Sequence, residues 1–99
     1  MANSFKNAHF LMESRLADAE RGDADALLDL GMAYSSRSGG VALDLIEAHK
    51  WFNLVALNGS AQATMYRADI SDEMTAREIA EAQRQARAWL RATDQRRAA

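Results

Sequence analysis

A short pattern of small residues occurs twice in this chain and restricts its fold more than any other feature. The segments Gly22–Ala26 and Gly59–Ala63 share a G-x-A-x-A frame 37 positions apart, and an alanine precedes each glycine by three residues. A second pair of segments, Ala48–Trp51 and Ala86–Trp89, shares the A-x-x-W spacing at an offset of 38. Two correspondences at nearly one offset predict an internal structural repeat.

The apolar residues recur at helical rather than alternating spacing, and the 99 residues include no proline that would interrupt a helix. A loose apolar face predicts a first helix over residues 5–20, with Phe5, Phe10, Met12, Leu16 and Ala19. The next helix should place one face inward, made of Leu27, Leu30, Gly31 and Tyr34.

Polar residues and glycines mark where the helices begin and end. Asp44 precedes Glu47 by three residues, and Thr75 precedes Glu78 by three, which is the spacing of a capping box. Gly22 and Gly59 should adopt the left-handed conformation that closes a helix, and the residue after each can cap the next one. These signals predict a helix over Leu45–Leu57 and a long last helix after Thr75.

Small and large side chains alternate at regular offsets around the predicted helix pairs. Repeat units built from helix pairs need small residues where backbones approach and large rings between pairs. The predicted contact points are Ala48, Ala56, Gly59 and Ala63, and the predicted space-filling rings are Trp51 and Tyr34.

These positions resemble the Sel-one-like repeats, a family related to the tetratricopeptide repeats. The resemblance covers about residues 22–63 and is carried by Ala26, Leu30, Gly31, Tyr34, Gly39, Val41, Asp44, Ala48, Trp51, Phe52, Ala56, Gly59 and Ala63. The chain departs from the family pattern at Arg37, where a glycine is usual, and at Arg67 and Ala68, which take the places of Leu30 and Gly31 in the second unit.

The resemblance implies an all-α fold, a short right-handed solenoid of helical hairpins with about five helices. We expect a single domain over residues 1–99, with an N-terminal capping helix over 5–20 and one repeat over 22–58. Residues 59–96 form either a degenerate second repeat or a capping element. The last helix should cover the open face of the stack with one stripe, made of Ile79, Ala82, Ala86, Trp89, Leu90 and Thr93.

Charge and hydropathy exclude several classes of partner. The 12 basic and 14 acidic residues nearly balance, which argues against a dedicated nucleic-acid surface. Arg84, Arg87 and Arg91 follow one side of the last helix, but Glu78 and Glu81 interrupt them, and a solvated helix face explains them better. No apolar stretch approaches the roughly 20 residues that span a bilayer. We therefore expect a soluble cytoplasmic protein that binds neither nucleic acid nor membrane.

The sequence contains no arrangement that suggests catalysis. His9 and His49 are its only histidines, cysteine is absent, and neither histidine has a metal-ligand spacing around it. Gly39 and Gly40 lack the lysine and serine of a phosphate-binding loop. No enzymatic activity, metal or cofactor is expected.

A second apolar stripe on the helix after Gly22 predicts a binding surface. In the family that the chain resembles, this helix lines a concave groove together with its equivalent in the next unit. The corresponding positions predict a small apolar groove rimmed by acids, formed by Asp25, Leu28, Asp29, Met32, Gln62, Met65 and Tyr66, with Asp69 beside them. Alternatively, Leu28 and Met32 pack beneath a terminal helix, and the early acids only favour the helix dipole.

Two functions follow from these patterns. The first is a non-enzymatic adaptor or regulatory module that binds a peptide or helix of another protein in the groove. The second is a structural unit that forms homo-oligomers through its terminal repeat faces, because about one clear repeat is fewer than the three that usually make a stable stack.

Overall fold

A computed structural model describes the backbone of residues 3–36 and 41–98 and the side chains of residues 10–36 and 41–96. The described chain is all-α, as predicted, and contains no strand. Its five helices are α1 (Asn3–Glu20), α2 (Ala24–Ser35), α3 (Leu45–Leu57), α4 (Ala61–Ser71) and α5 (Ala76–Ala98).

Polar caps start α4 and α5 as the sequence predicts. The Ser60 hydroxyl accepts a hydrogen bond from the Ala63 amide at 3.1 Å. The Thr75 amide donates to the Glu78 carboxylate at 2.8 Å, and the Glu78 amide donates to the Thr75 hydroxyl at 3.1 Å. This reciprocal pair satisfies two backbone amides that have no partner inside the helix.

The cap of α3 forms only one of the two hydrogen bonds of the predicted capping box. Asp44 accepts from the Glu47 amide at 3.2 Å, as expected. The Glu47 carboxylate does not return to the cap, because it accepts from Trp51 Nε1 at 3.1 Å and Lys50 Nζ at 2.9 Å. The Asp44 amide instead donates to the Tyr34 carbonyl at 2.9 Å. A buried indole N–H needs an acceptor, and Glu47 supplies it.

The two glycines of the repeated frame occupy equivalent backbone conformations. Gly22 has φ 88° and Gly59 has φ 93°, the left-handed region in which glycine closes a helix without strain. The prediction that Gly59 is also a contact point is wrong: it is exposed, and a Cβ there would meet nothing within 4 Å. Its backbone conformation alone explains the residue type.

Helix α3 is the centre of the fold and packs against α2, α4 and α5, while α1 packs against α2. Its Trp51 is 2% exposed and meets Trp89 of α5 edge to face, with ring centroids 4.8 Å apart. Ala48 and Ala63 are fully buried, as expected for contact points, and Ala56 is half-buried. Small side chains at these positions let the backbones approach closely.

The inward face of α2 is confirmed, since Leu27, Leu30 and Gly31 are buried and Tyr34 is half-buried. The stripe on α5 is also confirmed at Ala82, Ala86 and Thr93, which are at most 4% exposed, but Leu90 lies at its exposed edge.

In α1 the face contains Met12, Leu16 and Ala19, whereas Phe10 is 70% exposed. The prediction that Phe10 lies on this face is wrong. Phe10 lies two residues before Met12 and therefore points about 160° away from the buried stripe around the helix. Phe5 and Gly39 lie outside the residues whose side chains are described.

No helix in the part of the chain that the structure describes combines the length and the apolar character needed to cross a bilayer.

Candidate protein-binding surface

Phe52, on the central helix α3, contacts both helices that carry the residues of the predicted groove, α2 and α4. Its ring is 1% exposed and lies directly on α2 at Gly31, where an added Cβ would come within 2.5 Å of a ring carbon. Glycine at position 31 therefore lets the ring reach the α2 backbone. Phe52 forms a small buried cluster with Ala48 and Ile70.

Tyr66 forms the α4 side of this surface. Its ring packs on Phe52 with centroids 5.4 Å apart and planes tilted by 34°. Gln62, one turn earlier, donates from Nε2 to the Tyr66 hydroxyl at 3.1 Å and fixes the outer end of the ring. The ring therefore has an apolar body in the cluster and a polar tip at the surface, as tyrosines at protein interfaces often do.

Leu28 and Met32 form the α2 side. Leu28 is half-buried and packs against the buried cluster that contains Phe52, and Tyr66 packs against the same cluster. Met32 follows one helical turn later and is 41% exposed. We call this surface the α2–α4 seam, formed by Leu28, Met32, Gln62 and Tyr66 over Phe52.

Met65 is the predicted groove residue that the structure does not bring into the seam. It is 67% exposed, and its position lies about 100° around α4 from Tyr66. The repeat offset matched Met65 to Leu28, but α4 is turned so that Ala63 and Ile70 are its buried residues.

Acidic side chains flank the seam on α2. Asp25 and Asp29 are exposed and lie within one turn of Leu28. The Asp29 carboxylate pairs with Arg15 of α1 at 3.7 Å, and both side chains are partly open to solvent. Neither acid is the helix cap, because Asp23 accepts from the Asp25 and Ala26 amides. The predicted capping role therefore belongs to Asp23 alone.

A concave surface that the sequence patterns did not predict lies away from the seam. A cleft of about 230 Å³ opens where the α1–α2 turn, the end of α3 and the second half of α5 meet. We call it the end cleft, lined by Ala19, Gly22, Leu27, Leu54, Leu57, Asn58, Trp89, Leu90 and Thr93. Leu57 and Leu90 are 62% and 39% exposed. Helical spacing could not reveal it because its residues come from four helices and two turns.

His49, on α3, is buried, with 2% of its surface exposed. Its Nδ1 has no hydrogen-bond partner among the described residues. Burial lowers the pKa of the imidazole, and the positive charge of Arg67 on α4 lowers it further. Within residues 10–36 and 41–96, no group of three or more His, Cys, Asp or Glu side chains is placed to hold a metal ion.

The arginine strip of α5 is partly neutralised by its own helix. Arg84 binds Glu81 through Nε at 2.8 Å and Nη2 at 2.6 Å, and these bonds hold the pKa of Glu81 at about 2. Arg96 pairs with Glu20 of α1 at 3.3 Å, while Arg87 and Arg91 are exposed.

The chain was compared with protein-family models, with curated proteins and with solved structures, and none of the three comparisons finds a match.

Proposed function

We propose that this chain is a non-enzymatic interaction module, a short solenoid of the Sel-one-like type, that binds a peptide or helix of a partner protein across the α2–α4 seam. The observation that carries the proposal is the exposed Met32 one helical turn after half-buried Leu28, which packs against the same buried cluster as Tyr66. Flexible methionine side chains suit a contact surface that adapts to its partner.

The equivalence of matched positions supports the solenoid. Ala26 and Ala63, which are 37 positions apart, are both at most 5% exposed, and the glycines before them share a positive φ. Ala48 and Ala86, 38 positions apart, are both at most 1% exposed. Residues that occupy the same environment at one offset are typical of stacked repeat units.

The second unit departs from the first at the position equivalent to Leu30. Leu30 is fully buried, whereas Arg67 is half-buried and donates from Nη1 to Asn53 Oδ1 at 2.5 Å. Polar pairing replaces apolar packing there, which fits a degenerate terminal repeat that needs no further neighbour.

The test is affinity capture from the native lysate with the parent chain and with a seam variant, Leu28→Asp with Met32→Lys. Circular dichroism must first show that both chains fold. If the double variant does not fold, the single variant Met32→Lys replaces it. A matched control, Leu57→Asp with Leu90→Lys, changes two exposed apolar residues at the end cleft instead.

A partner lost by the seam variant and retained by the control supports the proposal. A partner lost only by the control would place binding at the end cleft. If both variants capture the same proteins as the parent, the seam is not the binding surface.

The alternative function is self-assembly, and the exposed Leu57 and Leu90 favour it because they leave apolar surface open at one end of the molecule. It predicts a mass that rises with protein concentration and falls back to the monomer in the Leu57→Asp, Leu90→Lys variant. Sedimentation equilibrium measures both.

A further inference from the structure

The charges of this chain are separated along its sequence, and the helices that border the α2–α4 seam belong to the acidic part. Residues 76–98 carry six arginines and three acids, whereas the rest of the chain carries six basic and eleven acidic residues. Such a distribution attracts opposite charge to one part of the surface even though the total is close to zero.

The helices that border the seam are themselves poor in positive charge. Helix α2 contains two aspartates and no basic residue, and both aspartates are exposed beside Leu28. Helix α4 contains exposed Asp69 and one arginine, Arg67, which is bound to Asn53 of α3. Arg15 offsets Asp29 from the α1 side.

From this arrangement we infer that the occupant of the seam is a basic amphipathic helix. The inference rests on the proposed function. Apolar side chains one turn apart would contact Leu28, Met32 and Tyr66, and flanking lysines or arginines would face the aspartates. Charge complementarity of this kind sets the choice of partner and the association rate, and it weakens with salt.

The experiment uses two synthetic helical peptides as probes, each with a leucine stripe at i, i+3, i+4 and i+7. Their polar faces differ only in carrying lysine or glutamate. Binding to the full chain is followed by fluorescence anisotropy. We expect the lysine peptide to bind about tenfold or more tightly than the glutamate peptide at low salt, because like charges in contact are strongly unfavourable. High salt should reduce the difference.

Three variants test whether the preference for the lysine peptide arises at the seam. Asp25→Asn with Asp29→Asn should weaken binding of the lysine peptide several-fold, and Arg15→Gln should strengthen it by freeing the Asp29 carboxylate. Asp94→Asn removes an exposed acid from α5 and should leave the affinity unchanged.

The outcomes distinguish a failure of the inferred basic partner from a failure of the proposed binding function. Equal binding of both peptides, lost in Met32→Lys, would overturn the basic partner and keep the seam as a docking surface. Binding of neither peptide would overturn both. A dimer of the parent chain that Met32→Lys dissociates would make a second copy the occupant and overturn the inference.

Discussion

At the scale of single residues, the contact between Gly31 and Phe52 positions the seam. The ring occupies the space that any other side chain at position 31 would need. The same contact sets how closely α2 approaches α3, and so where Leu28 and Met32 lie. A stability change at Gly31 therefore reports on the geometry of the binding surface.

We expect Gly31→Ala to lower the free energy of unfolding by about 1–3 kcal/mol, because the added methyl overlaps the ring of a well-packed core. Phe52→Leu should relieve part of this loss, so the two changes should couple in a double-mutant cycle measured by urea unfolding. If the Gly31→Ala variant is as stable as the parent, the close approach of the Phe52 ring to Gly31 is contradicted.

His49 gives a pH dependence whose sign follows from its lowered pKa. As the pH falls below about 6.5, the imidazole of the unfolded chain takes up a proton that the buried imidazole resists. The free energy of unfolding should therefore decrease as the pH falls from about 7 toward 5. The slope from this group is at most about 1.4 kcal/mol per pH unit.

The measurement is urea unfolding across this pH range for the parent and for His49→Gln. All other titratable residues are the same in both chains, so the difference between the two slopes isolates His49. Parallel slopes would show that burial of His49 does not disfavour its protonated form.

At the scale of elements, the helix N-termini depend on local hydrogen bonds, and the spacing of the capping residues in the sequence predicts these bonds. The reciprocal bonds of Thr75 and Glu78 are complete, whereas the cap of α3 uses only Asp44. The difference arises because the Glu47 carboxylate accepts from Lys50 and Trp51 of its own helix, about one turn later, whereas the Glu78 carboxylate accepts from the Thr75 amide.

Thr75→Ala should destabilise the protein by about 1 kcal/mol, since it leaves an amide of the first turn of α5 without its acceptor. Thr64→Ala is the matched control: this hydroxyl bonds the Ser60 carbonyl within α4, and alanine is the better helix former there. Thermal melts followed by circular dichroism distinguish the two. Equal effects would show that the capping bonds contribute nothing specific.

At the scale of the whole molecule, α5 contacts both α3 and the end of α1. It packs on α3 through Trp89 and Ala86, and Arg96 reaches Glu20 of α1. The main buried cluster accordingly draws residues from all five helices. A core shared in this way should unfold as one unit.

Trp89→Ala removes the edge-to-face pair with Trp51 and enlarges the end cleft. We expect a loss of about 3 kcal/mol, near the low end for a tryptophan because Trp89 is only half-buried. Arg91→Ala, at an exposed position of the same helix, should change stability by less than about 0.5 kcal/mol. Guanidinium unfolding followed by circular dichroism measures both changes in stability. A transition in the tryptophan fluorescence of the parent that does not coincide with the circular dichroism transition would contradict a single core.

The chain by itself determined the helices, because apolar spacing, capping residues and glycines act over one or two turns. It also indicated that Gly31, Ala48 and Ala63 face the core, since small residues at helical spacing mark where helices can approach one another closely. Tertiary structure decided the exposure of Phe10 and Met65, the burial of His49 and the end cleft. Each of these depends on the rotation of one helix against another, and summed contacts among distant residues fix that rotation.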